Sequence, residues 1–360
     1  MTIDSPITGR GALTNRRSRY LATTLERDIP EVLEGEEPLP VRRPETVVRI
    51  DPARTIISRN TSPDIPFSQS VNPYRGCEHG CIYCYARPSH AYLDHSPGLD
   101  FETILYAKPN AAALLDAELR KPGYRPEVIH LGANTDPYQP IEREHRITRA
   151  VLEKALEFGH PVTVLTKGTL IERDLDLLGE LARRRLARAC VSLTTLDPEL
   201  KRSLEPRAAS PRARLRAVRA LVEAGVPTAV LVAPIIPAVN DHEIEAILEA
   251  AAQAGATRAG WVLLRLPLEI KGLFEEWLAA HRPLAKGRVL SLIADARAGR
   301  LNDPRFGHRM SGGGAYAEMI GKRFAGAARR LGLASGHEGE EALDLAQFKV
   351  PDPSGQLGLF

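Results

Sequence analysis

The chain has 360 residues, 43% of them hydrophobic, and 48 Lys and Arg against 45 Asp and Glu leave a formal charge of +3. That length fits about two domains or one large α/β unit with a sizeable core, and the near-neutral balance names no partner. No run approaches roughly 18 uninterrupted apolar residues, which excludes a membrane span. The opening MTIDSPITGRGALTNRRSRY lacks an apolar h-region, so a soluble cytoplasmic protein is expected.

Residues 1–60 are polar, rich in Arg, Glu and Pro, and without a sustained period, so they read as a partly disordered N-terminal arm that can fold back near the core. Arg16, Arg17 and Arg19 could touch nucleic acid, although a solvated basic tail is the simpler reading.

Residues 61–330 change texture: short β-branched runs alternate with helical patterns. The strands read as Glu127–Gly132, Pro161–Thr166, Ala189–Thr194, Thr228–Ala233 and Gly260–Leu264, after an earlier strand ending just before Asn72. Helices are expected over Ala111–Arg120, Glu144–Phe158, Arg173–Arg185, Pro211–Ala224, Asp241–Ala254 and Pro283–Ala298. The fourth is well signed, with Ser210 as cap, Pro211 in the first turn and Gly225 with Pro227 at its end. Leu215, Val218, Leu221 and Val222 share one face of it, and Arg212, Arg214, Arg216 and Arg219 are expected on a solvated face.

Repeated strand–helix units imply parallel strands with right-handed crossovers. Six of them fit an α/β fold of the (β/α)6 partial TIM-type barrel kind, with flexible N- and C-terminal extensions. Chemistry in such folds gathers at the carboxyl ends of the strands. Residues 331–360 read as a flexible tail ending in QLGLF.

Three of the four cysteines form C-x3-C-x2-C within GCEHGCIYCYA. Such clustering in a long cytosolic chain argues against disulfides. Cys77, Cys81 and Cys84 could hold three corners of an iron–sulfur cube, leaving one iron open, and an open position marks a catalytic metal site. The rival is a Cys3His zinc site, completed by His79, His90 or His95. The spacing favours iron–sulfur, because zinc modules usually carry two separated cysteine pairs.

C-x3-C-x-aromatic-C, with Tyr83 before Cys84, resembles the signature of radical S-adenosylmethionine (radical SAM) enzymes. The surrounding SVNPYRGCEHGCIYCYARPSH is similar to the branch related to spore photoproduct lyase, often called DNA repair photolyase-like, and the likeness runs from about Pro63 to Ile320. It implies that Cys77, Cys81 and Cys84 hold a [4Fe–4S] cluster whose fourth iron is chelated by SAM. It also implies reductive cleavage of SAM to a 5′-deoxyadenosyl radical that abstracts a substrate hydrogen, with an electron donor of the flavodoxin or ferredoxin type and a nucleic-acid-related substrate. By the same resemblance Thr135 and Asp136, in GANTDPYQPIE, contact SAM, and Lys167, in VLTKG, pairs with its carboxylate. Ser192 or Thr194 meets the ribose or carboxylate, and Tyr83 lies beside the cofactor. The lyase carries a hydrogen-returning cysteine where this chain has Ala133, which argues against spore photoproduct repair itself.

Weaker features remain. Cys190 reads as a small buried hydrophobe. Glu205 and Arg207 could bind a carboxylate or phosphate or form a structural salt bridge. Met310–Gly314 could cradle an anion at a helix start, and Trp261 and Trp277 read as core. Gln356–Phe360 fits a Gln-Leu-x-Leu-Phe peptide that docks on the bacterial DNA sliding clamp. An alternative function is a non-enzymatic, zinc- or iron–sulfur-stabilised nucleic-acid-binding accessory protein recruited to that clamp.

Overall fold

A computed structural model describes residues 9–20, 44–335 and 342–352. Its strands, in chain order, are β1 (Val47–Ile50), β2 (Ile57–Arg59), β3 (Gln69–Val71), β4 (Tyr74–Arg75), β5 (Ile104–Ala107), β6 (Ile129–Leu131), β7 (Val162–Thr166), β8 (Ala187–Ser192), β9 (Thr228–Ile235), β10 (Arg258–Leu263) and β11 (Ala334–Ser335). The helices are α1 (Asp100–Thr103), α2 (Ala111–Leu119), α3 (Glu142–His145), α4 (Ile147–Glu157), α5 (Leu175–Arg183), α6 (Pro198–Leu204), α7 (Pro211–Glu223), α8 (Ile244–Gln253), α9 (Ile270–His281), α10 (Lys286–Asp295) and α11 (Gly314–Arg330).

The larger sheet has the order β11-β10-β9-β8-β7-β6-β3-β2. Strands β3 and β6 to β10 lie side by side in chain order and run parallel, β11 joins β10 parallel, and β2 closes the other edge antiparallel. A small sheet, β1-β5-β4, stands beside it. The fold is therefore α/β with a mostly parallel sheet. No helix among the described residues is long and apolar enough to cross a membrane.

Alternation along the strands decides which face is covered. Val162 and Val164 of β7, with Ala187, Ala189 and Val191 of β8, join the main core with Leu152 of α4, Leu178 of α5, Leu221 of α7 and Phe324 of α11. The other face carries His130, Thr163, Leu165, Arg188 and Cys190, all half-buried. A second core, at the carboxyl ends, packs Ile82 of the cysteine loop against Leu200, Leu204, Leu264, Phe274, Trp277 and Ile293. Trp277 is fully buried and stacks on Phe274 at 5.5 Å between ring centroids, as a core residue should. Trp261 is half-buried and packs on Phe324 with centroids 6.2 Å apart.

Several expected elements shift. The helix read over Glu144–Phe158 breaks at Arg146, whose φ of +50° starts a new turn. Strand β8 begins and ends two residues before its expected bounds, because its pairing with β7 runs from Ala187 to Val191. Helices α6 and α9, and strands β1 and β5, are additions to the sequence reading. Ser210 caps α7 as expected, accepting from the Ala213 amide at 3.3 Å.

Candidate active site

The cysteine loop follows β4 and is pinned from four directions. Cys77 N donates to Phe101 O at 2.9 Å, Ile82 N to Leu204 O at 3.0 Å, and Arg207 N to His79 O at 3.3 Å. Buried Gln139 clips it from the loop after β6: its Oε1 accepts from Glu78 N at 2.9 Å and its Nε2 donates to Gly76 O at 3.2 Å. Gly80 has φ +66°, and a Cβ there would stand 2.6 Å from the Glu102 carboxylate, so the loop can wrap only as glycine. Glu102 is fully buried. It pairs with Arg87 at 2.5 Å and accepts the amides of Gly11 and Ala12 at 2.9 and 2.8 Å. Arg87 in turn donates to Cys81 O at 2.8 Å. Part of the N-terminal segment thus straps the loop that bears the thiols.

Cys77 and Cys81 are buried, Cys84 is half-buried, and all three are free. Burial pushes the three thiols up; Asp136, Cys81 and Cys84 add to this at Cys77, and Arg87 opposes it at Cys84. Among the described residues no three His, Cys, Asp or Glu side chains converge as ligands of a single ion. The histidines of the zinc alternative have other partners. His79 faces Asp136 at 3.2 Å, His90 Nε2 meets Ile104 O at 2.8 Å, and His95 Nε2 meets the Tyr106 hydroxyl at 2.8 Å. Free thiols on one wrapped loop fit a cluster, whose irons each take a separate thiolate.

Against Cys81 lies a buried polar network. The Tyr83 hydroxyl donates to Glu205 and sits 3.0 Å from Thr194 Oγ1, which donates to the same Glu205 oxygen at 2.6 Å. Arg214 clamps the other Glu205 oxygen and donates to Ala209 O and Ser192 O, both at 3.0 Å. Lys167 Nζ, just beyond β7, reaches Ser192 Oγ at 2.5 Å and stands 3.8 Å from Glu205. Burial pushes Glu205 up, but Arg214 and Lys167 outweigh it and hold the carboxyl at about 2. Tyr83, Lys167 and Ser192 are therefore brought together. Arg214 corrects the expected solvated face of α7: it is 1% exposed because 211, 214, 218 and 221 form the buried stripe.

Thr135 and Asp136 stand on the other flank of the loop. The Asp136 carboxylate accepts from Thr166 Oγ1 at 2.6 Å, Tyr138 N at 2.9 Å and Lys167 N at 2.7 Å, besides facing His79. Burial raises its pKa, and His79, Thr166 and the Lys167 amide together bring it down to about 2. The Thr135 hydroxyl donates to Tyr74 O at 3.0 Å.

The sequence and the fold have counterparts in known proteins. The family model described as the radical SAM superfamily matches residues 71–251, half of the chain, and spans the cysteine loop and both flanks. The chain belongs to the radical SAM superfamily. An uncharacterized protein of Mycobacterium tuberculosis is 39% identical over 275 residues, covering 76% of this chain and 77% of that one. The radical SAM Nalpha-GlyT isomerase of Pseudomonas phage M6 is 26% identical over 180 residues, 49% of this chain and 35% of that one. In fold the chain resembles spore photoproduct lyase, solved with bound AdoMet and dinucleoside spore photoproduct: the TM-score is 0.58 over 81% of both chains, at 15% identity. The protein is thus an enzyme of the radical SAM type, a family whose members bind SAM and a [4Fe–4S] cluster.

The remaining expectations fall differently within this radical SAM site. Glu205 pairs with Arg214, while Arg207 bonds Glu78 at 2.9 Å, so 205 and 207 form no joint anion clamp. In Met310–Gly314 the amides of Gly312 and Gly313 go to His308 O and Ala296 O at 2.7 and 3.0 Å, which leaves neither for an anion. Cys190, expected as a small buried hydrophobe, is half-buried on the face of β8 opposite the main apolar core. Burial pushes its thiol up to about 12 against the pull of Lys167. Gln356–Phe360 lies outside the described residues. Tyr85 was overlooked: it follows Cys84, and its hydroxyl donates to Ala133 O at the end of β6.

Proposed function

We propose that this chain holds a [4Fe–4S] cluster on Cys77, Cys81 and Cys84, cleaves SAM reductively and uses the 5′-deoxyadenosyl radical to abstract hydrogen from a nucleic-acid-related substrate. The observation that carries this reading is the contact of the cysteine loop with the Lys167–Ser192–Glu205 network at the carboxyl ends of β7 and β8. The chemistry supplied there, with both cofactors bound, is one-electron cleavage of SAM to methionine and the radical.

The protein's own groups bind and orient. Lys167 presents an ammonium whose hydrogen-bond partners are a hydroxyl and, at 3.5 Å, the Ala233 carbonyl, so it can donate to the SAM carboxylate. Glu205, kept ionised by Arg214, stands 3.8 Å from that ammonium and accepts from the Tyr83 hydroxyl, which fixes the ring against the loop. Ser192 lies within reach of the same carboxylate or the ribose, and Thr135 lines the opposite flank. Asp136 spends its oxygens on Lys167 N, Thr166 and His79, so it contributes by setting the turn that carries Lys167. Six parallel strands in chain order support reading residues 61–330 as a (β/α)6 partial barrel, flanked by an N-terminal arm and a C-terminal tail.

The fold likeness to a lyase solved with a dinucleoside supports a nucleic-acid substrate, and Ala133 argues for a product other than that lyase's. The reductant is a flavodoxin- or ferredoxin-type donor, and the QLGLF end recruits the protein to the sliding clamp. Against the zinc-stabilised accessory reading, no three His, Cys, Asp or Glu side chains converge as ligands of one ion among the described residues. Titration of SAM into the reduced, iron-reconstituted protein tests the assignment. The electron paramagnetic resonance signal should change on SAM addition, and Lys167→Ala should weaken SAM binding about tenfold or more, the usual range for a charged hydrogen bond. A signal indifferent to SAM would refute the assignment.

A further inference from the structure

Two arginines at the carboxyl end of β10 face no carboxylate. Among the described residues neither Arg265 nor Arg297 has an acidic group within ion-pair distance, and the Nε of each is buried without a hydrogen-bond partner. Arg297 is 1% exposed and acts as a staple: Nη1 donates to His308 O and Arg309 O at 2.8 and 2.9 Å, and Nη2 to Leu263 O and Leu264 O at 2.9 and 3.0 Å. Leu263 N adds a bond to Met310 O at 2.9 Å. The end of β10 and the turn at 308–310 are thereby locked together.

Arg265 stands in this frame, half-buried, and its guanidinium touches the Met310 sulfur at 3.6 Å. The nearest opposing carboxylate, Asp64, is committed to Arg309 and to Gly307 N at 2.7 Å. Tyr85, one residue past Cys84, donates to Ala133 O, and its phenol and the Arg265 guanidinium influence each other electrostatically, which relates the unpaired cation to the cysteine loop. On the outer side of the same turn Phe306 is 59% exposed, with the Arg309 guanidinium 4.8 Å above its ring.

A planar fork left without an ion pair suits a phosphate, which fills two donors at once. An exposed aromatic beside arginines suits a base, since every base offers a π-face. We propose that Arg265 and Phe306 form a strand-binding lip at the mouth of the site, with Arg265 taking a phosphodiester beside the reacting nucleotide and Phe306 stacking a neighbouring base. This rests on the nucleic-acid reading above. It adds where the strand lies and which residues hold it.

The test uses the full-length, cluster-loaded protein under anaerobic conditions and the fluorescence anisotropy of a labelled single-stranded oligonucleotide at several salt concentrations. Arg265→Gln should weaken binding about tenfold and reduce the slope of log affinity against log salt by about one. Arg265→Lys should restore the slope but only part of the affinity, because an ammonium lacks the fork. Phe306→Ala should weaken binding at least about fivefold with the slope unchanged, and exposed Arg288→Gln should leave binding unaltered. Arg265→Gln should melt no lower than the wild type, because Arg265 has no ion pair and only a weak sulfur contact to lose. Binding and slope unchanged in Arg265→Gln, or a large fall in its melting temperature, would overturn the proposal while the nucleic-acid reading stands. Failure of the wild type to bind any oligonucleotide would overturn both, while 5′-deoxyadenosine formation judges the radical SAM chemistry separately.

Discussion

Two neighbouring regions at the strand carboxyl ends handle charge in opposite ways. Around the cysteine loop Glu205 faces Arg214 and Lys167, Glu102 faces Arg87, and Asp136 accepts from three donors and faces His79. At the end of β10, Arg297 is caged by carbonyls and Arg265 has a sulfur. Buried ions are tolerated when paired and costly when single. The first region is complete as folded, a rigid mount for a cofactor. The second has cationic capacity in excess of what the protein satisfies, which is the mark of a surface that meets an anion.

The largest expected effects break the mount itself. Replacing any of Cys77, Cys81 or Cys84 by Ala should abolish the visible charge-transfer absorption of the reconstituted cluster and all SAM cleavage, read by absorbance and product analysis. Next, Glu205→Ala leaves Arg214 buried and unpaired and should cost about 3–5 kcal/mol in chemical denaturation. The double variant Glu205→Leu with Arg214→Met should recover much of that loss, which separates the value of the pair from the cost of breaking it.

A smaller loss is expected from Glu102→Gln. One amide oxygen cannot replace a carboxylate that accepts two backbone amides and pairs Arg87, so the cost should be about 1–3 kcal/mol, with faster cluster loss on dilution. Smallest near neutrality is the effect of pH. Glu205 and Asp136 are held at about 2 in the fold, below their ordinary values of 4.5 and 3.8. Their contribution is complete above those ordinary values and is lost as pH falls toward 2. Urea midpoints should begin to fall below about pH 6.5, because burial holds His90, His130 and His160 at about 4 in the fold, and should fall further below about pH 4, less steeply there in Glu205→Gln.

The contrast also separates what was legible in the sequence. Strand β7 and helix α7 could be read because period, cap and breaker agree, and the cysteine loop because its chemistry is spelled within eight residues. Arg214 was misplaced because residue type was weighed above its place on the 211-214-218-221 stripe. Helix α9 also carried its signal, in Ile270, Leu273, Phe274, Trp277 and Leu278 at helical spacing, and the buried residues confirm that face. Other parts had no local trace. Glu102 binds Gly11 across 91 positions, and β1 is four mostly exposed residues made a strand by β5. The unpaired state of Arg265 is a property of the folded neighbourhood, which no spacing encodes. Asp136 shows a different gap: its position was foreseen, but the donors that occupy it became visible only in the fold.

The most direct measurement of the central claim is product analysis after anaerobic iron–sulfur reconstitution, with chemical reductant and SAM. The account predicts that 5′-deoxyadenosine and methionine form in the wild-type protein and that neither forms in Cys81→Ala. A wild-type protein that carries a full cluster, binds SAM and yields no 5′-deoxyadenosine would contradict it.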